Sequence, residues 1–154
     1  MKRILIAIDD TKGTAAIFEK TMHICKCMNP EEIILLYVEK LEGRSLMDEM
    51  LGDAEMSTLK EALEGTDFKE ALDRRANKIL DHYRSVMQNS PPTPNVKTVL
   101  RSGHPAEEIL KGAEEEKADL IMIGSRGKRI GRMFMGSVSR EVANNSTVPV
   151  LLVK

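Results

Sequence analysis

At 154 residues, with 42% hydrophobic and 31% charged residues and a formal net charge of −1, the chain has the make-up of one folded domain rather than of a disordered or membrane-embedded protein. No apolar run approaches the roughly 18 residues of a membrane span, and near-neutral charge excludes a global drive toward nucleic acid or acidic lipid, so any recognition of a charged ligand must be local. The opening MKRILIAIDD meets acids at Asp9 and Asp10, where a signal peptide would continue to a small-residue cleavage site; it reads as a first strand and the chain as cytoplasmic.

Residues 4–8 form an Ile-rich run closed by Asp9, Asp10, Thr11, Lys12 and Gly13, the form of a buried strand that ends in carboxylates. From Thr14 the period changes: Ile17, Thr21, Ile24, Cys25 and Met28 share a helical face until Asn29 and Pro30 stop it. Cys25 and Cys27 lie about 200° apart around such a helix, which suits reduced structural thiols and neither a disulfide nor a shared metal. Residues 33–38 are a second buried strand, so the first 38 residues make a βαβ unit with parallel strands.

Residues 39–70 differ in kind, with ten acidic against four basic side chains and glycines at 43, 52 and 65. They read as an acidic excursion from the strand end, with short helices at 45–50 and 56–63, acting as solvated surface, lid or partner face. Thr66 and Asp67 offer N-cap chemistry, and Leu72, Ala76, Ile79, Tyr83 and Val86 trace one face of a long helix that ends before Ser90, Pro91 and Pro92. Residues 96–100 form a third strand. Pro105 then takes the first position of a helix carrying Ala106, Ile109, Leu110 and Ala113. Residues 120–123, closed by Gly124, form a fourth strand and residues 148–153 a fifth. Five buried strands alternating with four helices point to a doubly wound α/β sheet.

The stretch 118–139 carries the chemistry. Between Gly124 and Arg140 stand Arg126, Lys128, Arg129, Arg132 and Arg140, without a single Asp or Glu. Gly136 and Ser137 then open a helix bearing Val138 and Val142, with Met135 just before them, so free backbone N–H groups and the positive dipole end face a basic loop. Strand, anion loop, helix is one reading; plain exposed charge is the other. Asp9 similarly either caps the turn that follows it or meets a ligand.

An enzyme needs a positioned nucleophile or base, and the chain has no such constellation: it carries neither a Gly-x-x-x-x-Gly-Lys-Ser/Thr loop nor a Gly-x-Ser-x-Gly elbow. Slow hydrolysis of a bound phosphate ester would need Asp9 or Asp10 to orient water near a bound metal. His23, His82 and His104 have no ligand spacing, and no metal site of the protein's own is expected. Two Tyr and no Trp offer little to stack a flavin. If the short, apolar last strand lies at a sheet edge, it favours a homodimer through antiparallel pairing of residues 150–153.

Taken in order, the first strand ending in Asp9, the GHPAEEIL turn and helix, ADLIMIGSRG, GSVS and the closing VPVLLV resemble the universal stress protein family over nearly the whole chain, the acidic excursion excepted. The resemblance implies an adenine nucleotide alpha hydrolase-like fold, with one parallel sheet in the order 3-2-1-4-5 and helices on both faces. It also implies dimerisation through the last strand and, in one branch, bound ATP. That branch has glycine, two residues, glycine, nine residues, glycine, then Ser or Thr. Gly124, Ser125, Arg126 and Gly127 match its start and Gly136 and Ser137 its end, with eight residues between Gly127 and Gly136 instead of nine. By this likeness Gly124 and Gly127 pass close to ribose and phosphates, Gly136, Ser137 and Ser139 hold the terminal phosphates, Arg126 adds charge, and Asp9 and Val38 meet the nucleoside. The ligand so implied is ATP or AMP, with or without Mg²⁺. The alternative is the branch that acts as a dimeric interaction scaffold without nucleotide.

Overall fold

Five short apolar runs lie side by side in the computed structural model, which describes residues 1–9, 12–39, 58, 65–89, 94–125 and 135–154. The strands are β1 (Arg3–Ile8), β2 (Glu32–Glu39), β3 (Asn95–Ser102), β4 (Leu120–Gly124) and β5 (Val150–Val153). Between them run α1 (Lys12–Met28), α2 (Asp67–Gln88), α3 (Pro105–Glu115) and α4 (Ser137–Asn145). The sheet order is β3-β2-β1-β4-β5 and all four pairings are parallel. β1 is therefore central, with Ala7 opposite Leu36 on one side and Ile123 on the other. Parallel strands need crossover connections, and the helices that supply them must bury an apolar stripe on the sheet.

The two-residue period of a strand divides the core. Ile4, Ile6 and Ile8 point with Ile33, Leu35 and Met122 toward α1 and α2, where they meet Phe18, Cys25, Leu80, Tyr83 and Met87. Leu5, Ile34, Leu36, Ile121 and Ile123 face α3 and α4, against Ala106, Ile109, Ala113 and Val142. Gly112 allows α3 to settle on β2, since a Cβ there would lie 2.4 Å from Leu36 Cδ1.

Local rules set the boundaries. Thr66 caps α2, its hydroxyl accepting the Lys69 amide at 3.3 Å, and His104 precedes α3 with Pro105 at the first helical position. α2 buries Ala76, Leu80, Tyr83 and Met87, whereas Val86, expected inside, is 39% exposed. The true stripe keeps Ala76 and Tyr83 but turns toward Leu80 and Met87, as a 22-residue helix at 3.6 residues per turn demands. On α1, Thr14 and Phe18 join Thr21 and Cys25 inside, two residues that the apolar spacing alone did not single out. β5 begins at Val150 rather than Val148, because the Val148 amide is taken by Ser146 Oγ at 3.2 Å and Pro149 has no N–H to give a ladder. Asp10, Arg126 and Gly127 and the segment 45–50 lie outside the described residues, as does 56–63 except for Thr58, which is helical and exposed. No helix among the described residues is long and apolar enough to cross a membrane.

Candidate functional site

The strand order reverses between β1 and β4: the chain leaves β1 toward β2 and later returns to β4 on the other side. Neighbouring strand ends whose connections depart to opposite faces leave a crevice above the carboxyl ends, where ligands of open α/β sheets bind. A cleft occupies that place. It is lined by Asp9 beyond β1, Val38 of β2 and Gly124 of β4, with Thr14 and Phe18 from α1, Pro105 and Ile109 from α3 and Val138 from α4. Three of the residues singled out in the sequence, from three strands, thus share one cavity.

Asp9 does not stand alone there. Its Oδ1 accepts a hydrogen bond from the Thr14 hydroxyl. Its charge also reaches α2: burial first, and the Asp9 carboxylate second, push the Tyr83 hydroxyl above its ordinary pKa. The Tyr83 ring packs on Phe18 with centroids 4.4 Å apart, so the α1 wall of the cleft is backed by α2.

The opposite wall is the start of α4. Gly136 is its N-cap with extended backbone and supplies no side-chain cap. Arg140 N donates to Gly136 O at 3.0 Å, the first bond of the helix, so the N–H groups of Ser137, Val138 and Ser139 precede any intrahelical acceptor. Ser137 is exposed at this end. Ser139 is buried, and its hydroxyl lies 3.0 Å from Gly136 O and 3.2 Å from Ser125 O. Gly136 N also donates to Ser125 O at 2.9 Å. One carbonyl therefore holds both the glycine and the serine. Ser125 itself donates its amide to Val153 O at 2.9 Å, while its buried Oγ has no hydrogen-bond partner among the described residues.

The arrangement presents hydrogen-bond acceptors on one wall and amide donors with a helix dipole on the other, which suits a ligand with hydroxyls at one end and anionic oxygens at the other. No group of three or more His, Cys, Asp or Glu among the described residues is placed to hold a metal. Thr14 and Ser125 were not foreseen. The only sequence signal for either was a hydroxyl close to Asp9 or Gly124.

The universal stress protein family model matches residues 1–154. The chain belongs to the universal stress protein family. Within that family, a universal stress protein of Methanocaldococcus jannaschii is 32% identical, over 99% of this chain and 94% of its own length. A solved structure of that archaeal protein matches with a TM-score of 0.76 at 28% identity, covering 99% of this chain and 95% of that one. A universal stress protein from Archaeoglobus fulgidus has been solved in complex with dAMP; it matches with a TM-score of 0.60 at 18% identity over 100% of this chain and 98% of its own. Another, in complex with cAMP, matches at 0.58 and 19% over 99% and 96%. These last two share the fold.

Proposed function

We propose that this universal stress protein is a stress-response regulator that binds an adenine nucleotide, ATP or AMP, in the cleft between β1 and β4, with at most slow hydrolysis. The observation that carries the reading is the convergence of Asp9, Val38 and Gly124 on one cavity, with Val138 of the α4 start on its wall. Asp9 and Val38 take the nucleoside end, and Gly124, Gly127, Gly136 and Ser137 take the phosphates with Arg126. Ser139 acts through the loop base, since its hydroxyl is turned to the Gly136 and Ser125 carbonyls. Ser125 Oγ, buried without a partner at the loop's start, is a further donor suited to a phosphate oxygen. Mg²⁺ enters with the nucleotide rather than on protein ligands of its own. The dAMP and cAMP complexes of related proteins support the ligand class. Occupancy of the 124–137 loop would then be read by partners of a cytoplasmic homodimer joined through β5.

The second reading, a dimeric interaction scaffold without nucleotide, is favoured by the eight residues between Gly127 and Gly136. Calorimetric titration with AMP and Mg-ATP separates the two. Wild type is expected to give saturable heat, and Ser137→Ala and Gly127→Val to lose about tenfold or more in affinity, the worth of one charge-assisted hydrogen bond. Absence of heat from wild type at millimolar nucleotide selects the scaffold.

A further inference from the structure

We infer that Thr14 is a positioning residue for Asp9, fixing the carboxylate that the cleft presents to a ligand hydroxyl. The proposal rests on the nucleotide reading above and adds to it a residue from the helix on the far side of β1.

Asp9 follows the last residue of β1 and is half-buried. A carboxylate there has several rotamers open to it, each directing its oxygens differently. Thr14 narrows that choice. It lies on the first turn of α1, is 7% exposed, and donates its hydroxyl to Asp9 Oδ1. A helical threonine ordinarily spends its hydroxyl on the carbonyl one turn back, and its branched Cβ allows few alternatives. This one donates to the Asp9 carboxylate. The donor is itself held: Phe18, one helical turn on, is 4% exposed and packed at a tilt against Tyr83 of α2, so α1 cannot roll without disturbing the core. Both Thr14 and Asp9 line the cleft. With Oδ1 engaged by a stiff donor, the plane of the carboxylate is set, and with it the acceptor geometry that Asp9 offers a sugar hydroxyl in the cleft. Preorganisation of this kind raises affinity by sparing the ordering cost at binding.

The test is a double-mutant cycle with Thr14→Val, which keeps the branched shape, Asp9→Ala and their combination, together with Thr14→Ser. Affinity for AMP and the midpoint of thermal unfolding are read for each. Thr14→Val is expected to weaken AMP binding about tenfold, Thr14→Ser to restore it, and the Thr14→Val loss to vanish once Asp9 is alanine. Wild-type affinity in Thr14→Val, no rescue by serine, or an undiminished loss in the Asp9→Ala background overturns the inference. If wild type binds neither AMP nor Mg-ATP, the nucleotide reading fails by itself. The same cycle in thermal unfolding then decides for Thr14: a midpoint shift that disappears without Asp9 upholds the positioning bond, and an unchanged shift removes it.

Discussion

The two ends of the sheet are built to opposite rules. At the amino end the polar groups satisfy one another: the Asp119 carboxylate accepts the Lys2 and Arg3 amides at 2.7 and 2.8 Å, and Asp119 N donates to Arg3 O at 2.8 Å. Lys2 O takes the amides of Glu31 and Glu32, and ion pairs join Lys2 to Glu31 and Lys97 to Glu116. At the carboxyl end, Ser125 Oγ and Glu39 Oε1 are buried without hydrogen-bond partners among the described residues, and α4 begins beside a cleft that Val138 lines. Buried polar atoms are paired in the great majority of cases, so these atoms set the carboxyl end apart from the amino end. The closed end stabilises the sheet, while the open end carries the cleft proposed for the nucleotide.

The largest departure from this division should come from Lys69. It sits at the carboxyl end but away from the cleft, its ammonium 2.7 Å from Glu39 Oε2, where the Glu39 side chain is 2% exposed. Burial alone would lower the Lys69 pKa, but the hydrogen bonds and charges of Asp73 and Glu39 hold it above the ordinary lysine value. Lys69→Met strands a buried carboxylate and should cost about 3 kcal/mol in denaturant unfolding. A raised lysine pKa contributes stability that is present below the unfolded value and lost as pH rises through the folded one. Wild type should therefore weaken in strong alkali by an amount that the variant lacks.

A smaller effect is expected at the amino end. Hydrogen bonds from the Arg3 and Lys2 amides hold the Asp119 carboxyl below its ordinary pKa. Asp119→Asn should lower the unfolding midpoint by a few degrees and leave AMP affinity untouched. Because a depressed carboxyl stabilises above its unfolded pKa and loses that contribution as pH falls through the folded one, the gap between variant and wild type should close in acid. A change in AMP affinity would erase the distinction between the ends.

The smallest effect belongs to the thiols on α1. Burial pushes the Cys25 thiol up to about 11, while Cys27 is exposed. At neutral pH a disulfide reagent should label Cys27 quickly and Cys25 only on unfolding. Cys27→Ser should abolish the fast phase without altering stability or binding. Rapid labelling of Cys25 would show that the amino end, whose residues Asn29, Pro30 and Glu31 border the same small cavity as Cys25, is less closed than its hydrogen bonds imply.

Much of this was legible because the relevant signals are local. Apolar runs ending in Asp9 and Gly124 announce buried strands, and the likeness to the family supplied the order that sets β1 beside β4. What the sequence withheld depends on direction. Ser139 is a hydroxyl near a glycine in the sequence, but only the path of α4 turns it back toward Ser125 O. Thr14 is five residues from Asp9 across a break between strand and helix, a separation to which no periodicity applies. Leu80 and Val86 are both apolar positions on a long helix, and a small rotation about its axis decided which one met the core.

The single carbonyl of Ser125, holding both Gly136 N–H and Ser139 Oγ, has a consequence for how this family can vary. It makes the intervening stretch a cassette whose two ends meet at one hinge pin, so its length can change without moving β4 or α4. By the closure relation for a chain with joined ends, having ten residues between Ser125 and Gly136 where one more would make eleven alters the entropy term by only about 0.1 kcal/mol. The shortened spacing is thus cheap for the fold, and the length of the stretch can vary while the frame around it stays the same.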